Sequence, residues 1–160
     1  MGVIDLKFNK QGNRLAVSSM DSTIKIWDVE ENNMVSEIQC KPMENWKIAF
    51  DADGKEIVTG GELGKVQGYD IETREIMTSL KSADIFATCI AYSSNGQFLA
   101  VGNNIGHIYV YEMKKENRPF KKIEAHHKQI RSIDFTADNN KIVSVADDYC
   151  INVFDLIKFQ

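Results

Sequence analysis

The sequence is short of several things, and each shortage excludes a class of protein. No apolar run approaches the ~20 residues of a membrane-spanning helix, and no charged-then-apolar leader opens the chain. Positive charge is not in surplus: 19 basic side chains face 23 acidic ones, for a net charge of −4 and a pI near 5.4. A dedicated nucleic-acid binder needs excess cations to displace counterions from phosphates, so that class is excluded. Cysteine is scarce. Cys40, Cys89 and Cys150 are odd in number and far apart, which reads as reduced core residues of a cytoplasmic or nuclear protein and not as a disulfide framework. The opening Met1-Gly2 would suit myristoylation, but Leu6 stands where that signal wants Ser or Thr. No segment places apolar residues at i, i+3, i+4 and i+7 over three turns, so helices are not expected. What remains is an ordinary globular composition, 43% hydrophobic and 26% charged. The 160 residues suffice for one modest domain, which would bury roughly 70% of its unfolded surface.

What is present is a repeat. Aromatic-acid pairs recur at Trp27-Asp28, Tyr69-Asp70, Tyr111-Glu112 and Phe154-Asp155, spaced by 42, 42 and 43 residues. A second aromatic keeps the same rhythm at Phe8, Phe50, Tyr92 and Phe135, and a turn former follows four residues later at Gly12, Gly54, Gly96 and Asn139. The one extra residue falls between Glu112 and Phe120, in Lys-Lys-Glu-Asn-Arg-Pro, a stretch of turn character. Within each unit the period is two. Ile4, Leu6 and Phe8 alternate with Val3, Asp5 and Lys7. First strands are predicted over 46–50, 88–92 and 131–135. Second strands follow over 15–18, 57–60, 99–102 and 142–145, and third strands over 24–27, 66–69, 108–111 and 151–154. Shorter fourth strands are predicted at 35–38, 77–80 and 120–123.

Four short strands every 42 residues, the third ending in Trp-Asp in the first unit, resembles the WD40 repeat of β-propellers. The resemblance implies an all-β fold of four-stranded blades, the first strand innermost around a central channel. The chain then reads as a single domain over 1–160, with blades near 1–40, 41–82, 83–125 and 126–160, the last without its outer strand. The stretches Asn45-Trp46-Lys-Ile-Ala-Phe50, Gly64-Lys65-Val66, Ile90-Ala91-Tyr92-Ser93 and Ile130-Arg131-Ser132 are similar to the WD-repeat adaptor subunit shared by the superkiller complex and the RNA polymerase II-associated factor complex. Seven blades at ~42 residues need more chain than this sequence has. A part of a longer propeller is therefore expected first, then two copies pairing into an eight-bladed ring, and last a closed four-bladed ring. An open arc would leave apolar faces and strand edges uncovered.

The chemistry-bearing residues sort by position. Asp147-Asp148 looks like a paired carboxylate, yet Asp148 aligns with Asp21, six residues before the third-strand aromatic. There the family places a turn Asp bonded to backbone and His. His126, nine residues before Phe135, matches the family's blade histidine. The resemblance thus implies a structural network of Asp21 and Trp27 in the first blade and of His126, Ser144, Asp148 and Phe154 in the last. Phe154 lacks the indole N–H of Trp, and Leu63 and Ile105 replace the Asp elsewhere. His126-His127 as metal ligands find no cysteine at ligand spacing, so no metal or cofactor is expected. A Ser-His-Asp hydrolase of His126, Ser144 and Asp148 lacks a nucleophile-elbow sequence, and a hydrolase using Asp147, Asp148 and His126 is the competing enzyme class. Gly60-Gly-Glu-Leu-Gly64-Lys65 departs from a phosphate loop in spacing and in having Val66 for Ser or Thr, and reads as a turn. Lys114-Lys115 and Lys121-Lys122 form a small basic cluster, a solvated edge or a contact for an acidic partner.

Four residues before each inner aromatic stand Ile4, Trp46, Thr88 and Arg131, and twelve residues after it stand Met20, Glu62, Asn104 and Asp147. The family places both sets on the channel rim, a face that commonly receives a partner's peptide. Trp46 and Arg131 are residue types enriched in interface hot spots, and Glu62 and Asp147 would answer a basic ligand residue. The competing reading has Trp46 plugging the channel and Arg131 paired with Asp147 or Glu62. The expectation is a non-enzymatic scaffold that binds peptide segments of larger subunits in an RNA-decay or transcription-associated complex. It has protein partners, self-association is possible, and it binds no nucleic acid directly and no membrane. A ciliary or ubiquitin-ligase scaffold is the alternative, since the fold alone does not decide function.

Overall fold

The computed structural model describes residues 2–81, 86–115, 117–156 and 158. The proposed blade boundary at Ser82/Ala83, and Glu116 of the inserted turn, lie outside the described residues. Fifteen β-strands form four antiparallel sheets among the described residues, each a meander in chain order. The first sheet holds β1 (Val3–Phe8), β2 (Arg14–Ser19), β3 (Thr23–Asp28) and β4 (Asn33–Gln39). The second holds β5 (Lys47–Phe50), β6 (Glu56–Gly60), β7 (Lys65–Asp70) and β8 (Ile76–Lys81). The third holds β9 (Ala87–Tyr92), β10 (Phe98–Asn103), β11 (His107–Glu112) and β12 (Lys121–Glu124). The fourth has three strands: β13 (Ile130–Phe135), β14 (Lys141–Ala146) and β15 (Ile151–Asp155). One 3-10 turn, Glu62–Gly64, occupies the glycine-bearing segment. Most strands run a residue beyond their predicted ends, but Trp46 and Phe120 fall just outside β5 and β12.

The repeat is written into the turns by backbone chemistry. Gly12, Gly54, Gly96 and Asn139 all take the left-handed conformation, at φ 76°, 71°, 70° and 59°. Glycine and then asparagine bear that conformation at least cost. Just before each turn, Asn9, Asp51, Ser93 and Thr136 accept a hydrogen bond from the backbone N–H five residues on. The acid of the aromatic-acid pair has the same kind of task. Asp28 accepts from the N–H groups of Glu30 and Glu31, and Asp70 from those of Glu72 and Thr73.

Strand alternation gives every sheet two apolar faces, and neighbouring sheets bury them against each other. Ala16, Ile24, Ile26 and Ile38 of the first sheet meet Ile48, Phe50, Ile57 and Tyr69 of the second. Val58, Val66 and Leu80 meet Ile90, Leu99 and Tyr111, and Ala100, Ile108 and Val110 meet Ile133, Ile142 and Leu156. Three separate cores result, one per junction. Three inner strands carry a β-bulge at their start, and the extra residue is Ile4, Thr88 or Arg131. A bulge re-aims the residue it inserts, and this decides what the rim presents.

Candidate protein-binding rim

At one end of the sheets, the turn joining the second and third strands is tied to the chain entering the first strand. Met20 donates its N–H to Gly2 O at 3.0 Å, Glu62 to Met43 O at 2.9 Å, Asn104 to Phe86 O at 3.3 Å and Asp147 to Gln129 O at 3.0 Å. The same four residues are those twelve places after the inner aromatics. Their backbone is held by an interaction repeated in every blade, while Met20, Glu62 and Asn104 present exposed side chains.

Trp46 is half-buried and meets Phe86 edge to face, ring centroids 5.4 Å apart at 71°. Such a pair is worth about 0.5–1.5 kcal/mol beyond its buried area and fixes the indole's orientation. Beside Trp46 in the chain, Asn45 reaches into the first sheet and donates to Ser19 O at 2.8 Å and Thr23 O at 3.2 Å. Glu44 is buried and pairs with Lys65 at 3.7 Å, and its second oxygen has no hydrogen-bond partner among the described residues. The segment that delivers Trp46 is therefore anchored on both sides.

Arg131 and Asp147 close on each other. The guanidinium donates from Nε and Nη2 to the two carboxylate oxygens, each at 2.7 Å. The Arg131 hydrogen bonds hold the Asp147 carboxyl below the usual carboxylate range, and Asp147 in turn raises the guanidinium further. Of the two expectations for Asp147, pairing within the chain is the one the geometry shows.

Two of the expected rim residues present little to a ligand. Thr88 is only 4% exposed and turns inward. Its hydroxyl donates to Ile130 O of the next sheet at 2.7 Å, with Gly102 O at 3.3 Å. It is a cross-blade tie, because its bulge points the side chain into the junction. Ile4 is half-buried at the corresponding bulge. The same end of the sheets carries residues that sequence reasoning passed over: Met43, Phe86, Ile105 and Tyr149. Tyr149 is 95% exposed, at φ 66° in the β14–β15 turn, with the Lys128 ammonium 5.8 Å from its ring centroid. A large apolar side chain in a turn otherwise made of polar residues was the available signal.

His126 lies between two partners. Its Nε2 is 2.8 Å from Ser144 Oγ, and its Nδ1 is 3.0 and 3.1 Å from the Asp148 oxygens. Asp148 also accepts the N–H groups of His127 and Cys150, each at 3.1 Å. Burial pushes the Asp148 carboxyl up, and those hydrogen bonds outweigh it, leaving the group below its ordinary value. The order Ser-His-Asp copies a hydrolytic triad, but Ser144 is 1% exposed, so no scissile bond reaches its Oγ. Asp21 plays the turn role alone, accepting from the N–H and hydroxyl of Thr23 at 3.0 and 2.6 Å. Trp27 lies partly exposed on the first sheet's open face, and Phe154 packs against the third core junction. Among the described residues no group of three or more His, Cys, Asp or Glu is arranged to hold a metal ion, and no helix is long and apolar enough to cross a membrane. At the opposite end, Lys7, Phe8, Phe50, Tyr92 and Phe135 help to line a cavity of about 370 Å³ between the inner strands.

Residues 2–158 match the β-propeller family described as nucleolar protein 10-like, N-terminal domain. The chain is 31% identical over 156 residues to the WD repeat-containing protein SL1-17 of Schistosoma mansoni, covering 98% of this chain and 51% of that protein. Over 55 residues it is 38% identical to the periodic tryptophan protein 2 homolog of Schizosaccharomyces pombe, 34% of this chain and 6% of that one. The chain thus spans about half the length of the first relative. Repeat, blade architecture and these likenesses agree: the chain belongs to the WD-repeat β-propeller proteins, in the family of the nucleolar protein 10-like N-terminal domain.

Proposed function

We propose that the chain is a non-enzymatic adaptor that takes peptide segments of larger protein subunits on the rim around Trp46, in an assembly that handles RNA or its transcription. The observation that carries this reading is the braced indole: Trp46 is half-buried, seated on Phe86, with exposed Met20 and Met43 at the same end of the sheets. A rigid aromatic flanked by pliable thioethers suits a bulky apolar residue of an extended ligand. The Arg131–Asp147 pair supplies the polar neighbour. Exposed ion pairs contribute only about 0–1 kcal/mol, so a ligand carboxylate or cation opens it at little cost. The short matches around Trp46, Val66, Tyr92 and Arg131 favour the adaptor subunit shared by the superkiller and RNA polymerase II-associated factor complexes. The nucleolar protein 10-like family favours a nuclear or nucleolar setting.

The test is a peptide array tiling the subunits of those two complexes, followed by calorimetry on the hits. Trp46→Ala should weaken a genuine ligand by about 2 kcal/mol, roughly 30-fold in Kd. Met77→Ala, on exposed β8, should leave the Kd unchanged. A folded Trp46→Ala protein that binds every hit as the parent does would end the rim reading.

A further inference from the structure

The junction between the second and third blades departs from its two neighbours at one position. On the third strand, Ile26 of the first blade and Val110 of the third are fully buried beneath the next sheet. Gly68 holds the equivalent place in β7 of the second blade. The space that a side chain would fill there is taken by Glu56 of β6: a Cβ at Gly68 would overlap Glu56 Oε1 and come 2.9 Å from Thr78 Cβ. At the position of Glu56 the first and third blades carry Arg14 and Phe98. A carboxylate laid across a sheet in this way is costly to bury unless donors meet it. The Thr78 side chain of β8 hydrogen-bonds to it. Glu56 Oε1, however, is buried and has no hydrogen-bond partner among the described residues. Burial pushes the Glu56 carboxyl up against the effect of the Thr78 hydrogen bond, and the nearby Asp51 and Asp70 carboxylates add to that push.

Glu56 also helps to line a cavity of about 370 Å³ whose two walls belong to these consecutive blades. Met77 and Leu80 line it from the second blade, Tyr92 and Met113 from the third. These are apolar surfaces of the kind along which a long basic side chain lays its stem. Asp51 and Asp53 join Glu56 in the lining, whereas Lys115 on the other side is taken up by Glu112 at 2.7 Å, leaving Lys114 as the remaining cation of the described lining. We propose that this cavity is a second protein-binding site, separate from the rim at Trp46, and that it takes an arginine side chain of a partner segment. The stem lies between the two methionines, and the guanidinium meets Glu56 with Asp51 and Asp53 beside it. Charge selects the head group, because the lining carries more carboxylate than cation and its half-buried carboxylate is short of a donor. Arginine suits this better than lysine, since the guanidinium presents several N–H groups in one plane and is more weakly hydrated than an ammonium.

The probe is the peptide acetyl-Ala-Ala-Arg-Ala-Ala-amide, titrated into the full chain with its methionine methyl groups isotopically labelled and followed by NMR. Met77 and Met113 report the cavity, and Met20 and Met43 report the rim. Saturable shifts are expected at Met77 and Met113, with Met20 and Met43 unmoved. The same peptide with citrulline for arginine keeps the shape and loses the charge, so it should bind roughly tenfold more weakly or worse. Glu56→Gln should lose a similar factor with an unchanged circular dichroism spectrum. Asp53→Asn, at an exposed position where folding is not at stake, should weaken binding by about twofold and keeps the test decisive if Glu56→Gln disturbs the junction. Absence of saturable shifts at Met77 and Met113 would overturn the proposal, as would shifts at Met20 and Met43 instead. Equal binding of the arginine and citrulline peptides, or binding indifferent to both Glu56→Gln and Asp53→Asn, would overturn it too.

Discussion

Gly102→Ala isolates the packing at the third junction. Gly102 lies in β10, cross-strand from Cys89 and against Ile130 of the next blade. A Cβ added there would fall 2.5 Å from Cys89 Sγ, 3.1 Å from Ile130 Cγ2 and 3.3 Å from Ile130 Cβ. Comfortable carbon contacts need roughly 3.5–4.0 Å, so the thiol must swing and Ile130 must give by a few tenths of an ångström. Both neighbours are buried, and overpacking of this kind costs about 1–3 kcal/mol. Gly102 is not among the glycines at positive φ, so Ala also removes unfolded-state entropy, which offsets about 0.4–1 kcal/mol. The net loss should be about 1–2 kcal/mol, read as a lower urea midpoint or a Tm reduced by roughly 2–8 °C. Two comparisons sharpen the test. Gly60→Ala, the equivalent site one blade earlier, meets only Ala87 Cβ at 3.1 Å and Ile90 Cδ1 at 3.9 Å, so it should cost less. Cys89→Ala removes the Sγ, so the double variant should be more stable than the sum of the singles by about 1 kcal/mol. An unperturbed or stabilised Gly102→Ala protein, or strictly additive singles, would refute the overpacking argument.

Two further outcomes follow from the titratable groups. The Asp148 carboxyl sits below its ordinary value in the fold, so its contribution is present above the unfolded value near ~3.9 and is lost as pH falls through the folded one. Denaturant midpoints should drop as pH falls below about 5, and go on dropping below ~3.9, and Asp148→Asn should flatten that acid limb; an unchanged limb would show that Asp148 does not set it. Burial pushes the Cys40 and Cys89 thiols up to about 11 each, whereas Cys150 is exposed. Cys150 is thus not the core residue expected from the sequence, because it lies in the turn before β15 and not on a strand face; a thiol-specific reagent should titrate it alone in the native protein and all three cysteines in denaturant. Rapid native reaction of the other two would mean that the junctions open.

The blades were legible because strand order and turn chemistry are local. A period of two, a left-handed residue at Gly12, Gly54, Gly96 or Asn139, and an acid capping the turn after Trp27 or Tyr69 all act within a few residues. The rim was legible only as far as chain position goes. Counting from the aromatics located Met20, Glu62, Asn104 and Asp147, whose backbones share one hydrogen bond. The same count assumed an unbroken alternation through the inner strands, and the bulges at Ile4, Thr88 and Arg131 break it. Phe86, which braces Trp46, comes from the segment entering the next blade, 40 residues along the chain.

The sequence by itself determined the repeat, the all-β class and which residues alternate toward a core, because each follows from preferences expressed within one blade. Only the tertiary structure decided that Thr88 ties two blades together while Arg131, at the equivalent bulge, turns outward to Asp147. It also decided that Ser144 is sealed beneath His126. Those outcomes depend on what the neighbouring sheet brings up against a residue, and no local pattern in the chain encodes its neighbour across a junction.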